Sequence, residues 1–112
     1  MSQTIAIILR IDQARASEFE RLFEAENLPN LRKHHAAGGI LSASLTRVEL
    51  GDEEEAAKAG GYVNYIVMAK VKDMAAHTAH DADAEFEAFN MKADAFQPKE
   101  PSVWGGTTVF EV

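Results

Sequence analysis

The chain predicts an α+β fold with element order βαββαβ, a four-stranded antiparallel sheet carrying two helices on one face. Three observations point to it. Two segments alternate or run apolar as strands, Thr4 to Ile11 and Gly61 to Val71, and two longer stretches repeat apolar residues at helical spacing. The second of those strands has large side chains on both faces, so both faces of the sheet need a cover. The length, 112 residues, suits one domain, expected over 1–112, and is enough to bury a core without staples.

In the first strand Ile5, Ile7, Leu9 and Ile11 share one face, with Ala6, Ile8 and Arg10 on the other. From Ala14 the period changes. Phe19, Leu22, Phe23 and Glu26 recur at three- and four-residue steps, giving an amphipathic helix. Pro29 cannot donate a backbone hydrogen bond, so this helix kinks or restarts near Asn27 and runs on through Leu31 to His35, where Gly38 and Gly39 stop it. Ile40 to Leu50 reads as the second strand. The acidic stretch from Gly51 to Gly61 reads as a mobile loop. After the third strand, Asp73 is a plausible N-cap for a helix whose inward stripe is Ala79, Ala82, Phe86, Phe89, Ala93 and Phe96. Pro98 and Pro101 end it, and Thr107 to Glu111 reads as the last strand. Short connections and right-handed crossovers fold this order into the ferredoxin-like arrangement.

Composition excludes several classes. Without cysteine there is no disulfide, thiolate metal site or thiol nucleophile. Eleven basic residues against eighteen acidic ones give a net charge of -7, which repels nucleic acid. No apolar run is long enough to span a bilayer, and the N-terminal residues lack the features of a signal peptide, so a cytoplasmic location is expected.

The helix-free face of the third strand carries Tyr62, Asn64, Ile66, Met68 and Lys70 beside Ala6, Ile8 and Arg10. That face is too apolar to leave in water, and a second copy of the chain is its simplest cover. The strand ending in Arg10, the inward Phe19, the kink Glu26-Asn27-Leu28-Pro29, Leu31 and the glycine turn before Ile40 resemble the dimeric α/β-barrel superfamily, the EthD-like proteins most of all. The resemblance covers roughly the first forty-five residues. It implies a homodimer with a pocket for a small, often aromatic or polyketide-like molecule. Its relatives include metal-free monooxygenases, lactone isomerases, polyketide cyclases and haem-degrading enzymes. EthD-like sequences often carry a histidine before the kink proline where this chain has Asn27, which puts chemistry needing that histidine in doubt.

Within this frame Arg10 and Asn64 are candidates to orient an anionic oxygen, with His35, on the inward stripe after Leu28 and Leu31, moving the proton. Arg10 pairing with an acid such as Glu111 is the structural alternative. Tyr62, Ile66, Met68 and Trp104 are candidate ligand contacts, Trp104 either capping the barrel end or plugging the core. His77 and His80 fall on the solvent side when ~100° per residue is counted back from Phe86. The three-residue spacing of His77 and His80 leaves a weak transition-metal site open, but three protein ligands are not evident from spacing, so no metal site is expected, and no cofactor is expected either. The partners expected are a second copy and a small molecule. The functional reading is a small-molecule-binding barrel with cofactor-independent oxygenase, isomerase or cyclase chemistry. The alternative is a non-catalytic regulatory or assembly module.

Overall fold

Residues 2–112 are described by a computed structural model. β1 (Gln3–Asp12) and β3 (Tyr62–Val71) are the centre of the sheet, paired antiparallel along their full length from Gln3 opposite Val71 to Asp12 opposite Tyr62. β2 (Ile40–Arg47) flanks β3 and β4 (Lys99–Thr107) flanks β1, so the order is β2-β3-β1-β4. The expected ferredoxin-like topology is therefore what forms, and the central pair holds the most apolar segments.

Two boundaries differ from the sequence reading. The second strand ends at Arg47 rather than Leu50. The last strand is Lys99–Thr107, and Thr107 to Glu111 is not a strand beyond its first residue. Pro101, Gly105 and Gly106 discourage a strand assignment, but β4 is an edge, where a missing donor and small residues are tolerated.

The first helical region is segmented where proline requires it. A 3₁₀ turn (Gln13–Arg15), with Asp12 accepting from the Ala14 amide at 3.0 Å, leads into α1 (Ala16–Leu22). A π-helical turn (Phe23–Asn27) then absorbs the register change before α2 (Leu28–Ala36) restarts with Pro29 in its first turn. The stretch expected to be a mobile loop contains α3 (Glu54–Gly60), capped by Gly61 at φ 73°. Its Ala57 is buried, so the segment is packed rather than free.

The second helical region is two helices. α4 (Met74–Asp81) starts at Asp73, whose carboxylate accepts from the Ala76 amide at 2.9 Å. α5 (Ala84–Asp94) starts at Asp83, which accepts from the Glu85 amide at 2.9 Å. The core lies between sheet and helices. Phe19 is its centre, wholly buried, with ring centroids 5.2 Å from Tyr65, 6.1 Å from Phe96, 6.3 Å from Phe23 and 6.4 Å from Phe89. Tyr65 gives its hydroxyl hydrogen bond to Glu20 at 2.5 Å, and Arg47 holds the same carboxylate. Burial, then the bond to Glu20, pushes the Tyr65 phenol up to about 12, so it stays a donor. Tyr65→Phe is expected to lower stability by about 1–3 kcal/mol, measured by denaturant unfolding, because the lost partner is a charged acceptor. An unchanged midpoint would show that water replaces the hydroxyl.

Candidate functional site

Between the sheet and α4–α5 the core is incomplete. A cavity of about 420 Å³ lies there, floored by Ile5 and Ile7 of β1 and by Val67, Ala69 and Val71 of β3. A second cavity of about 300 Å³ adjoins it, sharing Ile7, Asn27, Val67, Phe86, Asn90 and Val103 and reaching Phe23, Leu9 and Gln97. Val103 sits on the helix side opposite Ile7 yet is 65% exposed, which marks an opening beside the edge strand. An apolar floor with a few convergent polar groups has the form of a small-molecule site.

The polar groups come from the helical wall. His77, His80 and Asp81 of α4, Glu87 and Asn90 of α5 and Asn27 of the π turn all line the larger cavity. This corrects the expectation that His77 and His80 face solvent. Their side chains are only 27% and 12% exposed. The reason is the break at Ala82 and Asp83. A helical phase counted back from Phe86 fails across a new N-cap, and α4 turns both imidazoles inward while Ala79, expected inside, is exposed.

His80 is the more buried of the two imidazoles in this wall. Its ring lies 4.3 Å from the Phe86 ring and 5.1 Å, edge to face, from that of His34. Asp81 places one oxygen 3.5 Å from His80 Nδ1 and the other 3.0 Å from His77 Nε2, so one carboxylate faces both imidazoles. His80 Nε2 is buried without a partner in the protein. Burial lowers the His80 pKa, the His34 ring adds to that, and Asp81 opposes it. The imidazole is thus neutral at pH 7, with Asp81 beside Nδ1 and Nε2 the nitrogen left over. Asn27 is likewise 3% exposed with Oδ1 unpartnered, and Asn30, one turn on, is fully buried with both amide atoms unpartnered.

Asp83 ties the two helical regions together, accepting from Lys33 at 2.8 Å and lying 3.0 Å from His34 Nε2. Lys33 first, then the helix amide, hold its carboxyl well below the usual range. Its contribution to stability is present above its ordinary pKa of 3.8 and is lost only as pH falls through the lowered folded value. His80 acts in another window. Its folded form resists the proton that the unfolded form takes near 6.5, so it withdraws stability as pH falls below that value.

The residues singled out by sequence lie elsewhere. His35 is exposed, its Nδ1 2.9 Å from the Ile40 carbonyl, and it borders an outer groove rather than the cavity. His34 is the half-buried member of that pair, a reversal of the expected facing. Arg10, Asn64 and Tyr62 do come together, all buried, on the opposite side of the sheet under the β2–β3 connection. Arg10 donates to Ser102 at 2.7 Å and pairs with Glu53 at 3.1 Å, not with Glu111, which meets Lys70. Asn64 Oδ1 and Arg10 Nε are left without partners. Ile66, Met68 and Trp104 share that open face, Met68 41% and Trp104 68% exposed, so Trp104 does not plug the core of this chain. The signal that would have found His77 and His80 is Asp83 itself, an aspartate with Glu85 and Glu87 just after it, a helix start inside an apparently continuous helix.

Among the described residues no group of three or more His, Asp or Glu side chains could hold a metal ion, and no helix is long and apolar enough to cross a membrane. No protein-family model matches the chain and no curated protein matches it. Its likeness is to solved structures. Rv0793 from Mycobacterium tuberculosis is 12% identical with a TM-score of 0.75, covering 99% of this chain and 98% of that one. A candidate antibiotic biosynthesis monooxygenase from Caulobacter crescentus is 23% identical with a TM-score of 0.75, covering 97% and 91%. An asparagine-to-alanine mutant of SnoaB, a cofactor-independent oxygenase from Streptomyces nogalater, is 16% identical with a TM-score of 0.69, covering 99% and 96%. At these identities the likeness shows the fold: this chain has the ferredoxin-like architecture of the antibiotic biosynthesis monooxygenase structures.

Proposed function

We propose that the protein binds a planar, partly apolar small molecule between its sheet and helices and oxidises it with molecular oxygen without a cofactor. The observation that carries this reading is the cavity itself, apolar on the sheet side, with a neutral imidazole at His80 and carboxamides at Asn27 and Asn90 on the helical wall. A substrate that reacts with oxygen unaided must supply the electrons as a carbanion or phenolate. The protein's task is then to take a proton and hold the resulting oxyanion. His80 takes the proton, Asp81 steadies the ring through Nδ1, and the unpartnered Asn27 Oδ1 accepts from a ligand hydroxyl. The likeness to SnoaB, a cofactor-independent oxygenase, supports the oxygenase reading over isomerisation or cyclisation. The EthD-like affinity rests on roughly the first forty-five residues, from the strand ending in Arg10 through the kink to the glycine turn before Ile40, whereas the similar solved structures favour the monooxygenase side.

The test is oxygen uptake with 1,8-dihydroxyanthrone, whose central methylene is acidic. One oxygen molecule is consumed per anthrone: one atom becomes the new ring carbonyl and the other leaves as water with the two methylene hydrogens. The expected result is enzyme-dependent uptake in that ratio, unaffected by chelator. Quinone formation no faster than the buffer rate, together with no binding of the anthrone, would reject the reading.

The second copy predicted from the apolar open face belongs to the same proposal. Met68 and Trp104 on that face, and Val109 and Phe110 in the segment after β4, are large apolar side chains left exposed. Native mass spectrometry is expected to show a dimer, reduced to monomer by Trp104→Arg combined with Met68→Glu. A monomeric wild-type chain would remove the second copy from the proposal.

A further inference from the structure

Cavities that accept carboxylates or phosphates carry arginine or lysine, because an anion stripped of water needs a compensating cation. Neither cavity between the sheet and the helices is lined by one. The formal charges that do line them are negative, Asp81 and Glu87 on the larger and Asp94 on the smaller, all solvent-exposed and therefore at the rim. Three cations on the flanking helical segments are already engaged, while Arg32 of α2 lines the outer groove instead. Lys33 is held by Asp83 at 2.8 Å, Arg15 by Glu18 at 3.0 Å, and Lys92 by Glu26. The imidazoles do not make up the deficit. Burial keeps His80 neutral, and His77 Nε2 is taken by Asp81 at 3.0 Å. The chain as a whole carries a net charge of -7.

We infer that this site discriminates by charge, taking ligands that carry no carboxylate or phosphate and rejecting their acid counterparts. The inference rests on the cavity being the ligand site. It places the protein after any step that removes or masks an acid group, since a precursor acid has to be decarboxylated or esterified before it can enter.

The experiment compares two non-reacting probes of one shape, 1,8-dihydroxyanthraquinone and its 3-carboxylic acid. Binding is measured by calorimetry and by the ring-proton shifts of His77 and His80. The neutral quinone is expected to bind at least about tenfold more tightly than the acid at low salt, and each tenfold corresponds to about 1.4 kcal/mol. Because the rim carboxylates are exposed, the gap should narrow as salt is raised. Glu87→Lys should narrow it further by improving the acid alone. Equal or tighter binding of the acid to the wild-type protein overturns the charge inference while leaving the cavity reading intact. If neither probe binds or moves the histidine signals, the cavity reading fails and the inference falls with it.

Discussion

His80→Ala is expected to lower anthrone oxidation by about 10²–10⁴-fold, the range lost when a positioned acid–base group is removed. His80→Gln should fall equally, because it restores bulk and hydrogen bonding but not basicity. Binding of the unreactive quinone should survive in at least one of the two variants, which separates proton transfer from loss of the pocket. The wild-type rate should also carry a signature that a packing role would not. Burial lowers the His80 pKa, so the active neutral form persists below 6.5 and the rate declines only at more acidic pH than for a free imidazole. A His80→Ala protein that keeps its rate and its acid limb would remove the imidazole from the mechanism.

Phe19→Ala should be the most destabilising single substitution of the core, by about 3–5 kcal/mol. The side chain is fully buried and its ring meets four other aromatic rings drawn from the π turn, β3, α5 and the turn after α5. Truncation leaves a void that those stiff rings cannot close by small movements. Chemical denaturation measures it directly. A loss below about 1 kcal/mol would mean that the surrounding rings collapse into the gap.

Much of the architecture was legible because it rests on period and on proline. Alternation in β1 assigned Ile5, Ile7, Leu9 and Ile11 to the helix side, and the core confirms that side. Pro29 forced the restart that the π turn provides. Illegible were the places where local signals conflict. Glycine at both ends hid α3, although Glu54-Glu55-Ala56-Ala57-Lys58 is good helix-forming material. Pro101 and two glycines hid β4, since only pairing with β1 shows it to be an edge. The candidate site suffered most. Its histidines were identified by type and spacing, but their facing depends on a rotation introduced at Asp83, and a continuous helix has no such rotation. The attention given to Arg10 and Asn64 followed from the same alternation that placed the core. They are buried together, as polar residues on that strand face must be, but on the other side of the sheet from the cavity.

The short α4 has a bearing on how such a protein changes over generations. It carries both inward imidazoles yet has no buried residue of its own, and it is bounded by independent caps at Asp73 and Asp83. Substitutions there alter what lines the cavity while leaving the Phe19 ring cluster untouched. Heritable variation in chemistry is thereby separated from heritable variation in folding.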